Sequence, residues 1–168
     1  EKLPYKKIDN LAYAPHKGVV AAAGPHELVI GSIDELRKQV DEGQAEFTAN
    51  KQNISNINNV IFTKDEKFLV YSKDDSLHYV EVTSSTDIGA IAESSFSTIK
   101  IPHTIEKISS SYTSPHLLAV SDSQLGFYLV NINTTEVKNV ASGVLDFDFS
   151  PEGDQLLICK DDGSIRII

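Results

Sequence analysis

Leu145-Asp146-Phe147-Asp148-Phe149, Ser150-Pro151-Glu152-Gly153, Gln155-Leu156-Leu157-Ile158-Cys159, Asp161-Asp162-Gly163-Ser164 and Ile165-Arg166-Ile167-Ile168 follow one another along the sequence and decide its fold. The first group alternates apolar and polar residues with the period of a strand. The second is a turn, with Pro151 fixing its own φ and Gly153 free to take a positive one. The third group predicts a second strand. Asp162-Gly163 is a hairpin signal, and Ile165 starts a third strand.

The same order recurs upstream. Val60-Ile61-Phe62 is followed by the turn Lys64–Lys67, the strand Phe68-Leu69-Val70-Tyr71, the turn Lys73-Asp74-Asp75-Ser76, and Leu77–Val82. A further copy has the turn Ser114-Pro115-His116, Leu117–Val120, the turn Ser121–Gln124, and Leu125–Val130. The first copy has Ala14–Gly18, Val19–Ala22, the turn Gly24–Glu27, and Leu28-Val29-Ile30. Leu28, Leu77, Leu125 and Ile165 open the third strands, about 40 to 50 residues apart, the period of four-stranded propeller blades. Ser97–Ile101 and Glu136–Val140 supply fourth strands. Units are expected near 8–48, 57–101, 105–141 and from 144 to 168 onward.

A lone sheet cannot cover two apolar faces, but sheets packed face to face around an axis can, and closure leaves only short edges. The pattern therefore predicts an all-β chain, a β-propeller of which about four blades are covered, with seven expected in the full ring. A β-sandwich of regular hairpins is the alternative. One short helix is expected after the first blade. Ser32-Ile33-Asp34-Glu35 is a capping box, and Ile33, Leu36 and Val40 share a face at helical spacing. Asp41–Asn59 reads as a long polar loop around one strand near Ala45–Phe47, and Ser84–Ser95 as a second polar loop.

The 168 residues carry 24 acidic and 15 basic side chains, a net charge of -9. That balance argues against direct nucleic-acid binding, which needs clustered Lys and Arg, and favours a basic protein partner. No apolar run is long enough to span a bilayer, so no membrane insertion is expected. No signal-peptide pattern is present at Glu1–Asn10. The absence of methionine suggests a piece of a longer chain. Cys159 has no partner for a disulfide. The sequons at Asn53 and Asn133 read as chance in a chain rich in Asn, Ser and Thr.

No catalytic, cofactor or metal set is expected. His16, His26, His78, His103 and His116 are scattered without metal-site spacing, and three of them lie in turns. Asp146 and Asp148 begin like a calcium loop. The match then fails at Pro151, where glycine is needed, and at Leu157, where a bidentate Glu is needed. Both aspartates read as the polar face of a strand, satisfied by backbone amides. No phosphate loop, nucleophile elbow or redox pair occurs. The acidic turns stand apart: Asp74, Asp75, Asp122, Asp161 and Asp162 recur at the same hairpin in three of the units, which repeat geometry would place on one face of a ring. They serve either as turn formers or as contacts for a basic partner.

The opening Glu1-Lys2-Leu3-Pro4-Tyr5-Lys6-Lys7-Ile8, then Asn10-Leu11-Ala12 and Lys17–Gly24, resembles the start of the N-terminal propeller of the cytoplasmic-filament nucleoporin family. Phe149–Leu157, with Asp162-Gly163-Ser164-Ile165, is similar to a later blade of that family, and the helix at Asp34–Val40 falls where the family has one. WD repeats proper match less well, since the chain lacks Trp and the Gly-His dipeptide. The resemblance implies a seven-bladed, non-catalytic platform on the cytoplasmic face of the nuclear pore complex. It also implies a DEAD-box RNA helicase of mRNA export as partner, other nucleoporins as neighbours, and competition with RNA for the helicase. Much of that family's docking surface lies in blades beyond Ile168. The competing readings are a scaffold propeller of another assembly, such as a vesicle coat or ubiquitin ligase, and a propeller hydrolase.

Overall fold

The computed structural model describes residues 8–43 and 49–168. Four antiparallel sheets follow one another, each built from consecutive strands. The first contains β1 (Asn10–Ala14), β2 (Val19–Ala23), β3 (Leu28–Ser32) and β4 (Asn50–Gln52), with helix α1 (Ile33–Asp41) inserted after β3. The second contains β5 (Ile57–Phe62), β6 (Phe68–Lys73), β7 (Ser76–Glu81) and β8 (Ser97–Lys100). The third contains β9 (Ile105–Ser110), β10 (Leu117–Asp122), β11 (Gly126–Asn131) and β12 (Glu136–Ser142), and the last β13 (Val144–Phe149), β14 (Leu156–Lys160) and β15 (Ile165–Ile167). The sheets stack through their faces, with the first strands β1, β5 and β9 side by side. This is a run of propeller blades, not a sandwich.

Strand periodicity explains the stacking. In β6, Leu69 and Tyr71 join the core shared with the first sheet, where they meet Val19, Ala21, Leu28 and Ile30. Val70, between them, points the other way into a core with Ile105, Ile108, Leu118 and Val120. β10 repeats this: Leu118 and Val120 face the second sheet, while Ala119 joins Phe127, Phe147, Leu156 and Ile158 against the fourth. Each central strand thus feeds two cores, which is why it reads as a nearly continuous apolar run.

Several expectations need revising. The strand expected near Ala45–Phe47 falls outside the described residues. The fourth strand of the first sheet is Asn50-Lys51-Gln52, inside the stretch read as loop. Its polar residues hide it, because an outermost strand needs only main-chain pairing with β3. Ser84–Ser95 is a packed segment with two short 3-10 turns, Ile88–Ala90 and Glu93–Ser95. Ile88 is 8% exposed, and its carbonyl and that of Ile91 each accept a 2.7 Å hydrogen bond from Asn50 Nδ2. Leu125 lies in a turn at φ 61°, and the residue equivalent to Leu77 is Phe127: Leu77 pairs with Ser72 as Phe127 pairs with Ser121. α1 forms where the capping box places it, with Ser32 at its N-cap accepting from the Glu35 N–H, while the Glu35 carboxylate accepts from Gln39 Nε2 and Val40 is exposed.

The loops joining first and second strands form a hydrogen-bonded rim from sheet to sheet. Glu66 accepts from the backbone N–H groups of His16 and Lys17 and meets His16 Nδ1 at 2.8 Å. Lys17 Nζ donates to the Val82 carbonyl. The Lys64 N–H donates to Ser110 Oγ, and its ammonium lies over the Tyr112 ring. Ser111 and Thr113 hydroxyls both donate to the Gly153 carbonyl.

Gly153 is at φ 76°, and a Cβ there would lie 2.7 Å from the Tyr112 nitrogen. Replacing it strains the backbone and pushes the third and fourth sheets apart. Gly153→Ala in the intact protein should lower unfolding stability by about 1–3 kcal/mol, read as a shift of the denaturant midpoint. An unchanged midpoint would show that this rim does not hold the sheets in place.

Candidate interaction face

At the end of the blades opposite that rim, second-to-third-strand hairpins meet the connectors between sheets. The geometry repeats. The N–H of the residue entering or about to enter each new first strand donates to the hairpin of the preceding sheet: Asn56 to the Pro25 carbonyl, Ile105 to Asp74, and Val144 to Leu125, at 2.7–3.2 Å. The next hairpin then donates back to the connector, Ser123 N to the Thr104 carbonyl and Asp161 N to the Gly143 carbonyl, both at 2.8 Å. Beside these contacts, β5, β9 and β13 each carry a register shift, after Ile57, Ile105 and Val144. Such bulges re-aim a strand, and the shifted residues Asn58, Glu106 and Leu145 are all exposed. Asn59 Nδ2 reaches the Glu106 carbonyl, and Lys107 Nζ reaches Asp146 Oδ1 and the Phe147 carbonyl. Asp146 and Asp148 accept from the N–H groups of Phe147 and Phe149, both at 2.9 Å, as a polar strand face should.

The five predicted aspartates lie on this face but do not share one position. Lys73, Asp122 and Lys160 are equivalent, since each pairs with the opening residue of its sheet's first strand: Ile57, Ile105 and Val144. Asp122 therefore closes its hairpin and does not stand at the tip. Its tip is Ser123-Gln124-Leu125, while the tips of the neighbouring turns are Asp74-Asp75 and Asp161-Asp162-Gly163. Leu125 takes the left-handed conformation that Gly163 takes in the fourth sheet, at φ 61° and 80°.

Asp122 is 2% exposed and its carboxylate is consumed internally. Oδ1 accepts from the N–H groups of Gly126 (2.7 Å) and Gln124 (3.0 Å). Oδ2 accepts from Tyr128 Oη at 3.0 Å and meets His103 Nδ1 at 3.0 Å. Burial pushes this carboxyl up, but these bonds, led by that from Gly126, outweigh it and hold the group below the usual range. Asp122 is thus a hairpin lock and leaves the set a partner could touch. The other four remain accessible. Asp75 accepts from the Ser76 hydroxyl, which keeps its carboxyl low, with Lys100 at 3.6 Å contributing less. Asp162 accepts from the Ser164 hydroxyl and N–H, with the same effect. Both are ionised well below neutral pH.

The histidines are partly as expected. The His16 side chain is 92% exposed yet touches Glu66. His78 stacks on Tyr71 with ring centroids 4.6 Å apart. Burial, and then the Lys73 charge, lower the His78 pKa. Among the described residues, no group of three or more His, Cys, Asp or Glu is placed to hold a metal ion, and no helix is long and apolar enough to cross a membrane.

A family model described as the NUP159/214 beta propeller matches residues 4–168. No curated protein sequence gives a significant match. Among solved structures, the N-terminal domain of Nup159 is similar with a TM-score of 0.75 at 20% identity, over 99% of this chain and 42% of that one. A chain of an S. cerevisiae complex, in which Dbp5 is bound to Nup159, Gle1, IP6 and ADP, matches at a TM-score of 0.74 and 19% identity, over 99% and 41%. A chain of the mitotic checkpoint complex matches at 0.66 and 13%, over 94% and 46%. The chain spans about two fifths of the length of the two Nup159-related chains it matches.

Asp122→Ala should cost about 2–4 kcal/mol, because it orphans buried donors, whereas Asp162→Ala should leave the denaturant midpoint where it is. The pH dependence has a fixed sign. The Asp122 carboxyl is lowered on folding, so its contribution is full above the unfolded value, about 3.9. It is lost as pH falls through the lower folded value. Acid titration of stability should therefore fall less steeply below that point in Asp122→Asn than in the wild type. Equal slopes would contradict the assigned role.

Proposed function

We propose that this chain, which belongs to the NUP159/214 β-propeller family, is part of a non-catalytic interaction platform of the nuclear pore complex that tethers a DEAD-box RNA helicase for mRNA export. The family match over residues 4–168 carries this reading. The likeness to a complex in which Nup159 is bound to Dbp5 supports the partner class. The platform faces the cytoplasm, and the four sheets, which begin at Asn10, Ile57, Ile105 and Val144 and of which the first extends to Gln52, are consecutive blades of a seven-bladed ring. Two open apolar faces fit that ring. Leu11 and Tyr13 are 70% and 51% exposed on the side of the first sheet away from the second. With Val20, Ile33, Leu36 and Val40 they line a groove of about 730 Å³. Leu157 and Ile165 are exposed on the last sheet. Neighbouring blades would cover both.

The contact surface within this portion is the set of acidic hairpin tips, Asp74, Asp75, Asp161 and Asp162. They present negative charge on turns tied to the connectors, by Ile105 and Ile101 N–H groups on the Asp74 and Asp75 carbonyls and by the Asp161 N–H on the Gly143 carbonyl. A partner with a basic RNA-binding surface is complementary to them, and its encounter is steered by the field.

The fourfold variant Asp74→Lys, Asp75→Lys, Asp161→Lys and Asp162→Lys in the intact protein tests the surface, with binding measured by calorimetry across a salt series. Helicase affinity should fall roughly tenfold or more at low salt, and its salt dependence should flatten. Unchanged binding would remove these tips from the contact. Failure of the wild type to bind the helicase at low salt would overturn the platform reading itself.

A further inference from the structure

We propose that Ser84 is a phosphorylation site for an acidophilic serine/threonine protein kinase, and that its phosphate releases the segment stapling the second sheet to the first. The inference rests on the fold and does not depend on the identity of any partner. Among the described residues, a serine or threonine with an acid three places later occurs at Ser32/Glu35, Thr63/Glu66, Ser72/Asp75 and Ser84/Asp87. Three of these are unavailable. Ser32 caps α1, Thr63 is 1% exposed, and Ser72 is fully buried within β6. Only Ser84 lies in an irregular, partly exposed segment that a kinase cleft can reach.

Charge points to the class of enzyme. From Asp74 to Ile99 there is no Lys or Arg, while Asp74, Asp75, Glu81, Asp87 and Glu93 fall within that span. A kinase with a basic substrate groove is complementary to such a segment, and Asp87 supplies the acid it reads. In the transfer, Ser84 Oγ attacks the γ-phosphorus of ATP. The Oγ–P bond forms as the bond to the bridging oxygen breaks, ADP leaves with that electron pair, and the hydroxyl proton goes to the kinase's general base.

The consequence follows from what Ser84 does unmodified. Its hydroxyl donates to Asp87 Oδ2 at 2.7 Å, and Thr83 Oγ1 donates to the same oxygen at 2.7 Å. The Asp87 N–H donates to the Ser84 carbonyl, closing the turn. That turn leads into Ile88, which sits in the core between the first two sheets. The carbonyls of Ile88 and Ile91 are held by Asn50 Nδ2, and that of Ile91 also by Gln52 Nε2. A phosphoserine has no hydroxyl proton to donate and places about two negative charges against the Asp87 carboxylate. The segment itself carries no Lys or Arg to pair with it, and the Lys17 ammonium that reaches it is held at the Val82 carbonyl. The turn opens, and the grip on Asn50 and Gln52 goes with it.

The test treats the intact protein with a purified acidophilic kinase and ATP, maps the phosphate by mass spectrometry, and follows amide hydrogen exchange. A peptide covering residues 79–92 serves as control. One phosphate on Ser84 is expected, absent in Ser84→Ala and formed more slowly in Asp87→Asn. Exchange at residues 87–91 and 50–52 should then rise at least about fivefold, with the fourth sheet unaffected. Labelling of the peptide but not of the folded protein would overturn the proposal. So would phosphate on other residues, or a phosphorylated Ser84 with unchanged exchange.

Discussion

Every feature of this molecule depends on the need of each sheet to bury both of its faces. A sheet with apolar residues on alternate positions exposes one oily side to water, and antiparallel sheets commonly tolerate this arrangement. Here β6 and β10 are apolar on both sides: Leu69 and Tyr71 point one way and Val70 the other, and Leu118 and Val120 oppose Ala119. Such strands are stable only between two further sheets. Stacking is therefore a requirement of the sequence, and the twist of the strands turns the stack into an arc.

Apolar packing is not directional, so something else must fix the spacing and angle of neighbouring sheets. Two belts of hydrogen bonds do this at opposite ends of the blades. One runs through side chains, Glu66 to His16 and Lys17, and the hydroxyls of Ser110, Ser111 and Thr113. The other runs through the main chain, connector to hairpin and hairpin to connector. The first is sensitive to the residues it contains. The second is indifferent to most side chains, which leaves the hairpin tips open to charge of either sign.

The propeller was legible because strand periodicity and turn chemistry repeat at a fixed interval, and the capping box at Ser32 located the helix. What the sequence hid follows a physical rule. Asn50-Lys51-Gln52 forms a strand without apolar residues, because its stabilisation comes from main-chain pairing and from bonds to Ile88 and Ile91. Asp122 looked like the other hairpin aspartates, since a one-residue offset within a turn leaves composition unchanged. Only strand register separates a closing residue, whose side chain points inward, from a tip residue that points out. The neighbouring Gly126, which allows the tight approach to the carboxylate, was the available clue. Leu125 misled for a related reason: an apolar residue at a left-handed position imitates the start of a strand.

The main-chain belt has a consequence for how such surfaces diverge. A hairpin whose shape is held by peptide groups can exchange its outermost residues without renegotiating the architecture beneath. Asp74, Asp75, Asp161 and Asp162 sit on turns of that kind, whereas Asp122 does not. Related chains should accordingly be able to drift apart in what they recognise while remaining superimposable, with change concentrated at the tips and resisted one residue further in.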